Sequence, residues 1–209
     1  GIWQDVTLEY RPSVYLGDLA IRTSTRRGEI AVDLAVENAS GAVFDGQLRL
    51  WVAVGKTIAL QLPSQPLTLA AGERRTLTQR QAWRAPRCWS PEDPFLYTLH
   101  ATLEQAGQEV DAQMTRVGFR EVWFEGPYLL FNGVRVNLRG DAWHYQGFVM
   151  QTYEYARNWY RLCREKGINF VRLHAMPYPR CFLEAADEEG MLIIDESAIY
   201  GSGKAIQAD

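Results

Sequence analysis

The sequence predicts an all-β immunoglobulin-like sandwich followed by β/α units with parallel strands. Residues 14–120 alternate apolar and polar side chains with period two and contain no helical pattern. Residues 151–194 instead alternate helical segments with short apolar strands, which is typical of β-α-β units. The chain has 209 residues, of which 47% are hydrophobic and 22% are charged. Such a composition supports a folded core and excludes disorder as the main state.

The period-two pattern is clearest between Ile30 and Val36, where every second residue is apolar and would lie on one face of a strand. Asn38-Ala39-Ser40-Gly41 then supplies a turn. About seven short strands over a hundred residues describe a sandwich. The further strands are expected at Leu48–Val54, Leu67–Leu69, Arg75–Trp83, Tyr97–Gln105 and Val110–Val117.

The second part begins with a predicted hairpin, because Asn132-Gly133 tolerates the positive φ angles of a two-residue turn between Tyr128–Phe131 and Val134–Leu138. A helix is expected next, with an apolar stripe of Tyr155, Trp159, Leu162 and Cys163. Glycine is the usual residue after a helix, and Gly167 and Gly190 stand at the two expected helix ends. The predicted elements are helix Gln151–Lys166, strand Ile168–Leu173, helix Pro179–Glu189 and strand Met191–Ile194.

Charge and cysteine content exclude several classes of function. The chain carries 22 basic and 25 acidic residues without a long run of one sign, so we predict no nucleic-acid partner and no membrane partner. Cys88, Cys163 and Cys181 are widely spaced and predict free thiols rather than disulfides or a zinc site. With no glycine-rich phosphate loop either, we predict no cofactor, and we assign no metal-binding residue, which leaves a metal requirement open. The first residues do not resemble a signal peptide, which leaves the compartment open.

Polar side chains follow each of the three predicted parallel strands, at the edge where β-α-β proteins build their sites. Any one of them taken alone is better explained by a structural role, such as an ion pair between Arg172 and Asp195 or Glu196. Ionisable groups at all three strand ends together favour a site. Trp143 adds an apolar ring on which a sugar could stack. The candidate site residues are Asp141, Trp143, His144, Arg172, His174 and Glu196.

These residues and several motifs carry a resemblance to glycoside hydrolase family 2, the β-galactosidase, β-glucuronidase and β-mannosidase group. The motifs run in the family's order along almost the whole chain. The first motif is Gly1–Val6, which resembles the last strand of an N-terminal jelly roll, and late sandwich strands are resembled by Trp89–Tyr97 and Val117-Gly118-Phe119-Arg120. The entry into the barrel is resembled by the run from Phe131-Asn132-Gly133 through Arg139-Gly140 to His144. A further barrel segment is resembled by Asn169-Phe170-Val171-Arg172 with Pro177-Tyr178 and Asp187–Glu196.

The resemblance implies a retaining glycosidase, in which two glutamates about 5–5.5 Å apart act as acid/base and nucleophile. In the family the acid/base stands in an Asn-Glu pair after barrel strand four, and the nucleophile follows strand seven. This sequence contains no Asn-Glu dipeptide. Residues 121–209 also fall well short of the roughly 250 residues of a complete (β/α)8 TIM barrel. We therefore expect an incomplete barrel that lacks both catalytic carboxylates and is inactive alone.

The resemblance also implies substrate contacts. His144 matches a histidine that binds the sugar in the −1 subsite, and Arg172 matches an arginine that supports the nucleophile. Ala175 stands where the family usually has a second histidine, with His174 one position earlier. Asp141 and Trp143 depart from the commoner Val-Asn-Arg or Val-Asn-Lys between glycine and histidine. Glu196 matches a family position outside the catalytic pair. These residues assign neither galactose nor glucuronate as the sugar of the substrate.

The domain limits that the resemblance predicts are 1–10 for the end of the jelly roll, 11–120 for the sandwich and 121–209 for the first part of the barrel. The expected partners are a β-glycoside substrate and the remainder of the parent chain or a second copy, since an open barrel exposes an unpaired strand edge. One alternative is a non-catalytic carbohydrate-binding or interaction module built on the sandwich. Another is a complete small α/β enzyme that uses His174, Asp195 and Glu196.

Overall fold

The computed structural model describes residues 6–144 and 147–197. These residues form two compact units, and each is described by itself below. The first unit comprises Thr7–Trp89 together with Phe95–Val134. The second comprises Val6 and Ser90–Pro94 together with the described residues from Arg135 onward. The chain is mostly β-sheet with few helices.

Besides the small sheet after Glu121, which is described below, the first unit contains two antiparallel sheets. One has the order β1-β2-β6, and the other has the order β4-β3-β7-β8, with β5 pairing to β3. Short strands joined by turns allow this arrangement because antiparallel neighbours need only tight connections. The strands are β1 Val14–Ser24, β2 Glu29–Asn38, β3 Phe44–Val54, β4 Thr57–Gln61, β5 Gln65–Leu69, β6 Arg74–Ala82, β7 Tyr97–Gln105 and β8 Gln108–Val117.

The apolar side chains of both sheets pack into one core. In β3 the alternation is direct, because Leu48, Leu50 and Val52 are buried in this core while Arg49 is exposed and Trp51 is half-buried on the other face. The strands predicted from period-two patterns are thereby confirmed, and β1 and β4 are additions that the sequence analysis did not name. Trp83 and Trp89 lie in the interior, whereas Trp51 is half-buried.

The Glu121 side chain links the segment that follows β8 to the turn after β1. Its carboxylate accepts hydrogen bonds from the Arg26 guanidinium at 2.7 Å and from the Ser24 and Thr25 hydroxyls at 3.0 and 3.1 Å. Only 10% of the Glu121 side chain is exposed. Burial alone would raise the pKa of Glu121, but the hydrogen bonds from Arg26, Ser24 and Thr25 favour the carboxylate and lower the pKa from 4.5 to about 2.

The low pKa of Glu121 predicts acid-sensitive stability. Because the folded pKa lies below the unfolded one, the stabilisation is present above pH 4.5 and is lost as the pH falls from about 4.5 to about 2. Glu121→Gln should lower the free energy of unfolding by about 1–3 kcal/mol at pH 7 and by much less near pH 2. Urea unfolding at several pH values measures this difference, with the exposed Glu125→Gln as control. A difference between Glu121→Gln and wild type that does not vary with pH would contradict the assignment.

The predicted hairpin after Glu121 is present, since the strand Tyr128–Phe131 is hydrogen-bonded to the strand that begins at Val134, but it is shorter than expected and has an additional strand on its other side. β10 (Tyr128–Phe131) pairs antiparallel with β9 (Val122–Glu125), which the sequence pattern did not reveal. Asn132 and Gly133 have φ angles of 51° and 86°, so the expected tight turn is present. The strand after it, β11, is only Val134–Arg135 rather than Val134–Leu138. The apolar residues at 134–138 predict a longer strand, but most of this run does not pair.

The second unit is a three-stranded parallel sheet with two helices, in the order β12-β13-β14. Parallel neighbours need crossover connections, and here α1 and α2 supply them. The predicted β-α-β units are confirmed. Among the described residues, no helix has the length and apolar character that a membrane crossing requires. The elements are β12 Gly140–Trp143, α1 Tyr153–Glu165, β13 Phe170–Leu173, α2 Arg180–Glu189 and β14 Leu192–Asp195.

Two expectations for this unit are wrong in detail. The first parallel strand is Gly140–Trp143, which lies beyond the end of the strand expected at Val134–Leu138. Gly140 is required inside the sheet, where an added Cβ would overlap the Phe170 carbonyl oxygen. In α1 the buried face consists of Ala156, Tyr160 and Cys163. Trp159 and Leu162 of the predicted stripe are 41% and 54% exposed.

Candidate functional site

The three parallel strands of the second unit end at one edge of their sheet. In the register of the sheet Trp143 pairs with Leu173, and Leu173 pairs with Asp195. Since parallel strands run in the same direction, the residues that follow these three positions lie side by side. Those residues are His144, His174 and Glu196, all of which the sequence predicts as site residues.

Glu196 is the centre of this cluster. One carboxylate oxygen accepts a hydrogen bond from the Arg172 guanidinium, and the other accepts one from the Ala175 backbone N–H at 2.6 Å. The Nδ1 atom of His174 lies 3.5 Å from the same second oxygen. The Ala175 N–H, followed by Arg172, holds the pKa of Glu196 below its ordinary value. Glu196 is therefore a fixed negative charge that can accept further hydrogen bonds.

The backbone at Ala175 makes this arrangement possible. Ala175 has a φ of 65°, a left-handed conformation that is uncommon for residues other than glycine. This turn of the chain directs its N–H to Glu196. Sequence reasoning missed the role of Ala175, because a backbone donor has no side-chain signal and alanine does not indicate a left-handed residue. Of the two partners considered for Arg172, the structure selects Glu196 rather than Asp195.

The two histidines lie against each other beside Glu196. The rings of His144 and His174 have centroids 4.6 Å apart and meet edge to face at 64°. The backbone N–H of His174 donates to the Trp143 carbonyl at 3.0 Å, which fixes the loop after β13 to the end of β12. Nδ1 of His174 is buried and has no hydrogen bond to any described residue. The cluster thus presents two imidazoles, one guanidinium and one carboxylate at a single edge.

Trp143 and Asp141 are placed differently from the rest. The side chain of Trp143 is only 6% exposed, and its ring packs on the rings of Tyr155, Trp159 and Phe182. Stacking on a sugar remains a prediction for Trp143, although its present contacts are those of a core residue. Asp141 lies within β12, two positions before the strand end, and its carboxylate accepts the Ala142 N–H at 2.7 Å.

Tyr178 is a further residue that supports the edge. It is buried, and its hydroxyl donates to the Trp143 carbonyl at 2.9 Å, the oxygen that also accepts from His174. The sequence has a signal for this residue only in the Pro177-Tyr178 pair of the family motif. Two hydrogen bonds to one carbonyl hold the last residue of β12 in position, and with it His144.

An open cavity of about 470 Å³ lies beside β12, and the candidate residues Asp141, Trp143 and His144 are among those that line it. Its walls are formed by β12, by one face of α1 and by the start of β13, and they are mainly apolar, with Trp143, Tyr155 and Trp159 contributing rings. Within residues 6–144 and 147–197, no three His, Cys, Asp or Glu side chains come together in a way that could hold a metal ion. All three cysteines have free thiols, and burial raises the pKa of each.

Comparisons with known proteins agree with this architecture. The model of Glycosyl hydrolases family 2 matches residues 14–120. A putative beta-glucuronidase of Formosa agariphila is 33% identical over 94% of this chain and 24% of its own length, and a beta-galactosidase of Priestia megaterium is 30% identical over 97% and 21%. The chain therefore spans about a quarter or less of these relatives.

Solved structures show the same likeness. A GH2 beta-galacturonidase from Eisenbergiella tayi, bound to galacturonate, superposes with a TM-score of 0.79 and 27% identity, covering 90% of this chain and 34% of that one. A GH2 member from Bacteroides cellulosilyticus has the same fold, with a TM-score of 0.78 at 21% identity over 90% of this chain and 27% of that one. The likeness extends well beyond the residues matched by the family model, and the chain belongs to glycosyl hydrolases family 2.

Proposed function

We propose that this chain is part of a retaining β-glycosidase in which the cluster of His144, Arg172, His174 and Glu196 contacts the sugar. The convergence of these four side chains at the carboxyl ends of parallel strands carries the proposal, because that edge is where β/α proteins bind their substrates. In this proposal residues 11–120 are an immunoglobulin-like sandwich and residues 121–209 are the first β/α units of a (β/α)8 barrel.

The cluster suits the recognition of sugar hydroxyls. Glu196 offers carboxylate oxygens as acceptors, Arg172 offers guanidinium donors, and each imidazole supplies both a donor and an acceptor when neutral. A charge-assisted hydrogen bond to a hydroxyl is stronger than a neutral one. We expect the ligand to be a β-linked hexoside or hexuronide, the classes named in the relatives.

Glu196 itself is poorly suited to be the catalytic acid. A general acid needs a raised pKa so that it carries a proton near neutral pH. The Ala175 N–H and Arg172 act in the opposite direction and lower the pKa of Glu196. We therefore assign Glu196 to substrate contact and to the positioning of Arg172 and His174, and we place both catalytic glutamates outside residues 1–209.

The open edges of the parallel sheet favour a partner. β12 and β14 each pair with one described strand, and Trp159, Leu162 and Ile194 are exposed apolar residues on this unit. A barrel strand and helix packing against β12 and α1 would fill the 470 Å³ cavity. We propose that the remainder of the parent chain, or a second copy, supplies this cover.

The three histidines of the chain provide a direct test of the strand-end cluster. In protein labelled only at histidine, galacturonate, glucuronate or galactose should shift the signals of His144 and His174, and the two uronates should leave His100 unchanged. Glu196→Gln should raise the Kd about tenfold, since it removes a charged acceptor. The matched control is Glu184→Gln, which removes a carboxylate paired with Arg180 on α2. If no sugar shifts His144 or His174, the assignment of the cluster to substrate contact is wrong.

A further inference from the structure

A second cavity, of about 460 Å³, lies on the outer face of the five-stranded sheet in the first unit. Its size is within the range of about 300–1,000 Å³ of small-molecule sites. It lies within the sandwich and shares no lining residue with the strand-end cluster. The residues that matter for its chemistry are Arg49, Trp51, Lys56, His100, Thr102 and Glu104.

An aromatic pair forms one wall of this groove. Trp51 of β3 and His100 of β7 are opposite each other in the antiparallel register. Their rings stack with centroids 4.9 Å apart and an angle of only 6° between the planes. Both point away from the core, because their strand neighbours Leu50, Val52 and Leu99 fill it. A half-buried tryptophan held by a stacked partner is a rigid, flat apolar surface next to water.

The floor of the groove contains a polar group without a partner among the described residues. Thr102 is 6% exposed, and its hydroxyl is buried and makes no hydrogen bond to any of them. A buried hydroxyl without a hydrogen bond costs about 1–3 kcal/mol, so natural proteins seldom keep one without a reason. Thr102 pairs with Arg49 in the register, and a ligand that displaces the Arg49 side chain would reach this hydroxyl.

Charges around the groove are balanced. The Arg49 guanidinium pairs with the Glu104 carboxylate at 2.9 Å, and Gln47 donates to the other oxygen of Glu104 at 2.8 Å. Lys56 and Glu109 add one charge of each sign at the rim. An anionic or a cationic ligand would therefore meet repulsion as well as attraction, whereas an uncharged ligand rich in hydroxyls would find donors and acceptors in planar side chains.

We propose that this groove binds a neutral oligosaccharide through its hydroxyls and through stacking on Trp51. A pyranose ring has an apolar face of C–H bonds, which matches the indole surface, and a rim of hydroxyls, which matches the Arg49, Glu104 and Thr102 groups. The site goes beyond the proposed glycosidase function, since it would hold sugar on the sandwich, separately from the strand-end cluster. It needs no catalytic group.

The same histidine-labelled chain tests this proposal, with a β-1,4-linked glucose tetrasaccharide and a β-1,4-linked galactose tetrasaccharide as probes. At least one should shift His100 in a saturable way, and a galacturonate trisaccharide should bind the groove more weakly. Trp51→Ala should raise the Kd at least about tenfold. Thr102→Val should also raise the Kd while leaving the melting temperature unchanged or higher, because the unpartnered hydroxyl is removed.

Two control variants separate binding in this groove from binding elsewhere on the chain. Phe124→Ala removes an exposed aromatic ring elsewhere in the same unit and should not change the Kd. His144→Ala changes the strand-end cluster and should leave the sugar-induced shift of the His100 signal unchanged. The result in the groove therefore does not depend on whether the strand-end cluster binds sugar. The proposal is overturned if neither neutral probe shifts His100, or if Trp51→Ala and Thr102→Val, both folded by their melting curves, bind as well as wild type.

Discussion

Replacing Gly140 with alanine is expected to disrupt the parallel sheet of the second unit. An added Cβ would overlap the carbonyl oxygen of Phe170, which belongs to the adjacent strand, and would also press on the Phe170 ring. Backbone of a paired strand has no room to retreat without breaking the ladder between β12 and β13. We expect a loss of about 3 kcal/mol or more in the stability of this unit.

Hydrogen exchange of the β12 and β13 amides measures this effect, because exchange reports the local free energy of opening. The control is Gly167→Ala in the same unit. Gly167 has a φ of 77° but no atom within 4 Å of an added Cβ, so its replacement should cost only the left-handed strain of about 1–2 kcal/mol. Equal exchange rates in the two variants would contradict the close approach of β12 and β13 at Gly140.

Trp89→Ala is the second large expected effect, with a loss of about 3–5 kcal/mol in the first unit. Trp89 is completely buried. Its ring packs on Phe131 at 5.7 Å between centroids, and the Arg120 guanidinium lies 4.4 Å above it. Gly118 is close by, where a Cβ would approach the Trp89 Cβ to 2.9 Å. Removing the indole would leave a cavity bounded by all three residues.

Urea unfolding of the first unit, followed by far-UV circular dichroism and by exchange of the β7 and β8 amides, measures the loss. Trp51→Ala is the matched control, since it deletes the same atoms from a half-buried position of the same unit and should cost less than half as much. Similar losses for the two tryptophans would show that the buried Trp89 indole stabilises this unit no more than the half-buried Trp51 indole does.

The surroundings of Trp89 explain why the family motifs could be recognised in the sequence. Val117-Gly118-Phe119-Arg120 and Phe131-Asn132-Gly133 are far from Trp89 along the chain but meet around it. The backbone N–H of Trp89 donates to the Phe119 carbonyl at 3.0 Å, and the Asn132 side chain donates to the Trp89 backbone carbonyl at 2.9 Å. These residue types follow from packing and hydrogen bonding at one point, so they leave a readable pattern.

The period-two strands and the two helices were also predictable, because alternation and helix-ending glycines act locally. The strand at Gly140–Trp143 was not predicted, since a glycine needed for close strand approach looks the same in sequence as a glycine in a turn. The buried face of α1 was misjudged because Trp159 and Leu162 are apolar but exposed on this unit. If the remainder of the parent chain packs on that face, Trp159 and Leu162 become buried, and the apolar stripe predicted from the sequence describes the covered helix.

The strand-end cluster was predictable as a set but not in its contacts. His144, Arg172, His174 and Glu196 follow from the rule that parallel strands deliver their last residues to one edge. Arg172 pairs with Glu196 rather than Asp195, and this choice depends on the left-handed turn at Ala175, whose N–H holds the Glu196 carboxylate. No local sequence pattern indicates that turn. The stacked pair of Trp51 and His100 was likewise invisible, because it depends on the register of β3 against β7.

Release of nitrophenol from aryl β-galactosides, β-glucuronides and β-galacturonides by the chain of residues 1–209 is the decisive test of the proposed role. We expect no release above the uncatalysed rate, because Glu196 is held as a carboxylate by Arg172 and the Ala175 N–H, and because both catalytic glutamates are assigned outside the chain. A measurable rate that Glu196→Gln abolishes would refute this role and would make Glu196 a catalytic residue.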